Sequence, residues 1–294
     1  MVSKTDSTQG RVSLETKTHT PHMAIQGFEG CFHQQAANYF FNRNVTVECC
    51  ATFKEVMAAA KDSKRTDGCL MAIENSIAGS ILPNYNLIQS GNLKIIGEVY
   101  MQIHQNLLVN HNVELEDIKE VHSHTMALQQ CYEFLDKHKW KLVESEDTAL
   151  SAKHIAQYKS RHVAAIASSL AAEIYDLKVI APKIQTLKKN YTRFLVLQRP
   201  EDITGVQTGN KASINFQTIH KNGALARVLG VIAIHKINLS KLQSFPIPGS
   251  EFKYQFHADM EFDNIKTFER VIEKLKPLTE DIKIYGIYNK GVWK

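Results

Sequence analysis

The sequence predicts an α/β protein in two parts. The larger part alternates strands and helices in two similar lobes, and the smaller C-terminal part has the order βαββαβ. Three observations carry this expectation. Continuous apolar runs such as residues 69–73 and 163–166 suit strands covered on both faces, and they alternate with helical spacings up to about residue 200. The stretch 200–210 is polar, carries Gly205 and Gly209, and reads as a linker. Beyond it Phe252, Tyr254, Phe256, Ala258, Met260 and Phe262 alternate strictly, the strongest strand signal in the chain.

In order, residues 1–21 are rich in Ser, Thr and Lys with no apolar core, which predicts a disordered leader. Residues 23–25 are a short strand ending in Gly27-Phe28-Glu29-Gly30. Cys31, Phe32 and the residues after them have helix-forming composition. A strand, a glycine turn and a helix bring backbone N–H groups to a helix start, where they suit an anion. A plain tight turn fits the same residues. The spacing is not GxGxxG, so no dinucleotide site is expected. Phe53, Val56, Met57 and Ala60 share one helix face.

The buried strand at 69–73 ends in Glu74-Asn75-Ser76. Polar groups just past the carboxyl end of such a strand are where open α/β sheets hold ligands. Asn75 or Ser76 would equally cap the helix that follows Gly79. Strands are expected at 93–99, with Gly97-Glu98, and from 107. Another ends at Ser123-His124. Ala127, Gln130, Cys131, Phe134 and Leu135 then fall at helical spacing, with the Gln130 amide on the apolar side in need of a partner. Strands at 141–143 and 163–166, helices from 147 and over 168–175, and an extended pair at 179–180 complete the lobes. The first lobe takes 22–101 and 177–200, the second 102–176, and a cleft between lobes is the natural ligand site.

The C-terminal part, 211–290, opens with alternation at Ala212, Ile214, Phe216 and Thr218. Asn222-Gly223 leads a helix whose apolar face holds Leu225, Val228, Leu229 and Ile232. A strand over 238–244, the long alternating strand, a helix through Ile265, Phe268, Val271, Ile272 and Leu275, and a strand over 282–288 follow. This order is a complete ferredoxin-like unit, and one face of its sheet needs cover, commonly by a second copy.

Composition narrows the function. Net charge is +5 with scattered basic residues, so nucleic acid is not an expected partner, while an anionic small molecule is favoured. Five cysteines without CxxC argue against disulfides and zinc and for a reducing cytoplasm, and no HExxH or other metal-ligand spacing stands out. No apolar run approaches the roughly eighteen residues that a membrane span needs.

The stretch Asn190-Tyr191-Thr192-Arg193-Phe194, running into Leu195-Val196-Leu197, sets a hydroxyl, a guanidinium and a ring side by side at a strand entrance. Arg suits a carboxylate and Thr could give a proton to a leaving oxygen, though an exposed Arg at a strand start reads as readily.

Taken together these segments resemble the prephenate dehydratase family over about 24–281. Glu74-Asn75-Ser76 with Gly79 resembles its ENS motif, and Gly97-Glu98 its GE segment. Ser123-His124 with Gln129-Gln130-Cys131 resembles its SH…QC helix, and Thr192-Arg193-Phe194 its TRF signature. Gly223-Ala224-Leu225 resembles the first ligand loop of an ACT regulatory domain.

The resemblance implies a type II periplasmic-binding-protein-like catalytic domain over 22–200 and an ACT domain over 211–290. It implies prephenate as substrate, L-phenylalanine as allosteric effector, a homodimer or homotetramer paired through ACT sheets, and no metal or cofactor. It makes Thr192 the essential hydroxyl, with Glu74 and Gln130 catalytic. Asn75, Ser76, Ser123, Arg193, Phe194, Gly30, Cys31 and Phe32 would meet the substrate. The effector would meet Asn222, Gly223, Ala224 and Leu225, and Leu242, Gln243, Ser244, Phe245 and Pro246.

Departures are visible. The family carries Ser or Thr at the position of Cys31 and often at His33. Its SHPQ reads Ser123-His124-Thr125-Met126, and its ESRP reads Gln243-Ser244-Phe245-Pro246, without the acid and the Arg. Two other readings of the cleft are an arogenate dehydratase and a binding or sensor protein without chemistry.

Overall fold

The computed structural model describes residues 19–247, 249–250, 253–291 and 293–294. The expected leader lies outside these apart from its last residues, as does Phe252 of the alternating strand. The described residues group into two units. One holds Pro21–Leu93, Glu98–Asp202 and the C-terminal residues, and the other holds Lys94–Gly97 and Ile203–Gly291.

The first unit begins with β1 (His22–Gln26), α1 (Phe32–Phe41), β2 (Thr46–Cys50), α2 (Phe53–Lys61), β3 (Gly68–Asn75), the short β4 (Gly79–Ser80), α3 (Leu82–Gly91) and β5 (Lys94–Gln102). The chain then builds a separate sheet. It runs through β6 (Asn106–Val109), β7 (Glu120–His124), α4 (Thr125–Gln130), α5 (Tyr132–Leu135), β8 (Lys141–Ser145), α6 (Thr148–Gln157), β9 (Val163–Ala167), α7 (Ser169–Ile174) and β10 (Lys178–Ala181). With β11 (Tyr191–Gln198) it returns to the first sheet.

The first sheet has the order β2-β1-β3-β11-β5 with β4 on β3, and the second has β10-β6-β9-β7-β8. Cys69, Leu70, Met71 and Ile73 of β3 are fully buried, which explains their unbroken apolar run in a central strand. β1, β2 and β3 are parallel, whereas β11 runs antiparallel to β3.

The sequence reading differs from the structure at three places in this unit. β2 carried too few strand formers to stand out. The helix expected through Leu135 divides into α4 and α5 at Cys131, whose φ −106°, ψ 11° is non-helical. β10 pairs with β6, so the second sheet extends past the expected break at Asp176.

The second unit is β12 (Lys211–Thr218), α8 (Ala224–Ile234), β13 (Asn238–Pro246), β14 (Tyr254–Glu261), α9 (Ile265–Leu275) and β15 (Thr279–Tyr288), the βαββαβ order read from the sequence. Its sheet order is β13-β14-β12-β15. Ala212, Ile214 and Phe216 pack with Val228, Ile232, Phe268 and Val271 into one core. Gly223, with φ +73°, sits at the start of α8 in a left-handed conformation that suits glycine.

Candidate active site

The carboxyl end of β3 and the amino end of β11 lie side by side because the strands are antiparallel, so Asn75 is opposite Thr192 in the register. Both line a cavity of about 300 Å³. Cys31, Phe32 and His33 close it from the start of α1. From the second sheet come His124 and Gln130, together with Glu146, Asp147 and Thr148 around the start of α6. Gln105 and Asn190, on the two segments that cross between the sheets, complete the floor. The cavity therefore lies between the halves of the first unit.

Asn75 organises its end of the cavity. Its Oδ1 accepts from the backbone N–H groups of Ile77 (2.9 Å) and Ala78 (3.0 Å). That fixes the sense of the amide and turns Nδ2 toward Asn190 Oδ1 at 2.7 Å and Thr192 Oγ1 at 3.0 Å. An amide nitrogen donates and cannot accept, so the Thr192 oxygen is the acceptor here. Among the described residues its own proton meets no acceptor, and Thr192 is only 9% exposed. Asn75 makes a local turn and does not cap α3. Ser76 is also used internally, its Oγ accepting from Tyr191 N–H at 2.9 Å.

Further along, Asn190 Nδ2 donates to Gln130 Oε1 at 3.2 Å, and Gln105 Nε2 donates to the same oxygen at 3.3 Å. With that oxygen occupied, the Gln130 Nε2 group is left for the cavity.

Three predicted contacts point elsewhere. Arg193, one residue beyond Thr192, faces the opposite side of β11. It donates from Nε to Glu98 at 2.7 Å, its Nη2 is equally close, and both side chains are buried. Arg193 does not line the cavity, because strand neighbours project to opposite faces. Glu74, across from Arg193 in the register, is half-buried and does not line it either. Ser123 is fully buried and donates to the Ile166 carbonyl at 2.7 Å.

Gly30 has a packing role. Its φ is +86°, and a Cβ there would stand 2.7 Å from Ala171 Cα in α7, so only glycine allows the approach. Its carbonyl accepts from Ser168 Oγ at 2.5 Å.

Burial sets the protonation of the inner wall. It pushes the Cys31 thiol up to about 12 and lowers His33 to about 4, so that ring is neutral at pH 7. The His33 ring meets Phe194 edge-on at 5.1 Å and Phe53 at 5.5 Å. Asp147 caps α6 by accepting from Leu150 N–H at 2.9 Å, and burial raises its carboxyl pKa. No Lys or Arg is among the described residues lining the cavity. Sequence reasoning began a helix at Asp147 and set Asn190 at the head of the strand-entrance stretch, but gave no site role to Gln105, Asn190, Glu146 or Asp147. Only the polar residues bordering the expected lobe crossings could have hinted at the first two.

In the second unit a cavity of about 220 Å³ is lined by Gly223, Ala224 and Leu225, with His220, Lys221 and Tyr254 nearby. Asn222 and the Leu242–Pro246 stretch do not line it. The latter lies on β13, at the edge of the sheet.

The fold and the cleft define a two-sheet α/β protein with a cavity between its sheets and an appended βαββαβ unit. Residues 23–202 match the family model of prephenate dehydratase, and the chain belongs to that family. It is 31% identical over 276 residues to a bifunctional chorismate mutase/prephenate dehydratase of Enterobacter agglomerans, covering 92% of this chain and 71% of the relative. It is 34% identical over 278 residues to arogenate dehydratase/prephenate dehydratase 2 of Arabidopsis thaliana, covering 90% and 72%.

Among solved structures, one described as a novel type of quorum quenching acylase superposes with a TM-score of 0.82 at 27% identity, covering 92% of this chain and 98% of the other. The prephenate dehydratase of Arthrobacter aurescens, in complex with L-Phe, superposes with a TM-score of 0.77 at 25% identity, covering 92% and 90%.

Proposed function

We propose that the protein is a lyase converting prephenate to phenylpyruvate, with catalysis in a type II periplasmic-binding-like domain (22–200). A linker (201–210) joins this to an ACT domain (211–290) that binds L-phenylalanine and pairs with a second copy. The observation that carries the reading is the Thr192 hydroxyl, which accepts from Asn75 and keeps its proton for the cavity.

The reaction breaks two bonds. The carboxylate bond to the ring carbon breaks and its electron pair enters the ring. The C–O bond on the opposite side of the ring breaks, and the departing oxygen takes a proton from Thr192 to leave as water. The Thr192 oxygen regains a proton from solvent, so the prephenate dianion and one solvent proton balance as CO2, water and the 2-oxo acid anion. General-acid help of this kind is typically worth about 10²–10⁴-fold. Aromatisation drives the step and no electron sink is required. The substrate's anionic groups fall to the Gln130 amide and the first N–H groups of α1, since Arg193 is committed to Glu98.

The acylase neighbour raises a second reading. Cleaving an acyl–nitrogen bond calls for a nucleophile beside a base. Thr192 has an amide donor as its partner, and burial holds the Cys31 thiol protonated, which favours the lyase.

The test is turnover by purified protein of prephenate, arogenate and an N-acyl amine, each with and without L-phenylalanine. Phenylpyruvate formation suppressed by L-phenylalanine is the expected result. Acyl cleavage without phenylpyruvate would overturn the reading, and turnover of arogenate alone would move it to an arogenate dehydratase.

A further inference from the structure

Four side-chain amides, Asn75, Asn190, Gln130 and Gln105, stand in one hydrogen-bonded row along the cleft, and its direction is fixed at one end. The Ile77 and Ala78 N–H groups occupy Asn75 Oδ1, so Asn75 Nδ2 must donate to Asn190 Oδ1. Asn190 can then offer only its Nδ2 to Gln130, and Gln130 must receive it on Oε1. Gln105 Nε2 donates to that same oxygen. Reversing any one amide would set oxygen against oxygen or nitrogen against nitrogen. Asn190 is 1% exposed, and its carbonyl accepts from Ile103 N–H at 2.8 Å, which anchors it where the two crossing segments meet.

We propose that Asn190 is a positioning residue, which sets the sense of the Gln130 amide so that the cleft presents N–H at Gln130 alongside the O–H of Thr192. The wall then offers two donors and suits a ligand rich in oxygen acceptors. For the substrate this rests on reading Thr192 as donor to the departing oxygen. The direction of the row rests only on the hydrogen bonds.

The variant that isolates the role is Asn190→Asp. It keeps shape and the acceptor toward Asn75 but puts a second oxygen against Gln130 Oε1, which forces that amide to turn and present oxygen to the ligand, with Gln105, whose Oε1 has no hydrogen-bond partner among the described residues, turning in step. Asn190→Ala only frees it. At pH 7.5 Asn190→Asp should lower kcat/KM for prephenate about 10–100-fold and Asn190→Ala about 3–10-fold, with Asn190→Asp melting lower than wild type because it buries a carboxylate.

Protonating the new carboxyl restores an O–H donor, so the Asn190→Asp to wild-type ratio should climb toward one as pH falls. Cys31, His33, His124, Glu146 and Asp147 line the same cavity, and the substitution removes none of them. Titrations common to both proteins cancel in that ratio.

A ligand-free readout separates this from the proposed reaction. The Gln130 side-chain NH2 signals, assigned by their loss in Gln130→Glu, should exchange freely with water in wild type. In Asn190→Asp they should be protected at neutral pH and released in acid. An Asn190→Asp variant within twofold of wild type, a pH-independent ratio, a larger loss for Ala than for Asp, or an NH2 group equally exchangeable in both proteins would overturn the proposal. Failure of wild type to turn over prephenate would overturn the proposed reaction and leave the exchange result to decide the role of Asn190.

Discussion

The two faces of β11 are built on opposite electrostatic plans. On one face Arg193 and Glu98 form a buried ion pair, with Tyr100 5.7 Å from the guanidinium. On the other face Thr192 joins a row of neutral amides in which a hydroxyl proton and an amide nitrogen keep spare capacity. A buried charge pair suits a structural role, because leaving either partner unpaired in the interior is costly. Groups with spare donors beside a cavity suit a ligand. Adjacent residues of one motif therefore divide between the interior of the sheet and the cavity.

The comparison can be broken at either face. Thr192→Ala should melt like wild type and lose about 10²–10⁴-fold in kcat, with Thr192→Ser restoring much of it. Circular dichroism melts beside steady-state kinetics would check this, and near-normal kcat would remove Thr192 from its role. Arg193→Leu should do the reverse, costing about 3–5 kcal/mol by taking the guanidinium from the buried Glu98 carboxylate, as read by chemical denaturation. Replacing Glu98 as well, by Met, should recover most of that loss. A large KM change in a fully stable Arg193→Leu protein would mean that Arg193 does reach substrate.

His33 sharpens the boundary between the faces. Burial lowers its folded pKa to about 4 from an unfolded value of 6.5. The unfolded chain therefore binds the proton first, and stability is complete above pH 6.5 and falls as pH drops toward 4. The loss should be on the order of 3 kcal/mol. His33→Leu should flatten that part of the stability–pH curve, and an unchanged slope would show that other groups carry it. A smaller effect is expected for Gln130→Ala, about tenfold in kcat/KM with little change in melting temperature.

Much of the architecture was legible in the chain. The continuous apolar run of β3 marks a strand buried on both faces, and the strict alternation into β14 marks the βαββαβ unit. β2 was not legible because Thr46, Glu48 and Cys49 are polar or small, and its placement comes from pairing with β1. The Cys131 break was hidden because Ala127, Gln130 and Phe134 keep helical spacing across it.

For the site, the sequence by itself singled out Asn75, Gln130 and Thr192, since unusual polar residues at strand and helix ends survive as pattern. Only the tertiary structure decided that Thr192 faces the cavity while Arg193 turns to Glu98. It also decided that Ser123 is spent on a backbone carbonyl and that Asn190 and Gln105 join the row. Strand twist, register and the meeting of residues more than a hundred positions apart, as with Asn75 and Asn190, set those outcomes. Local sequence carries periodicity, whereas hydrogen-bond direction and buried charge pairing are properties of the assembled neighbours.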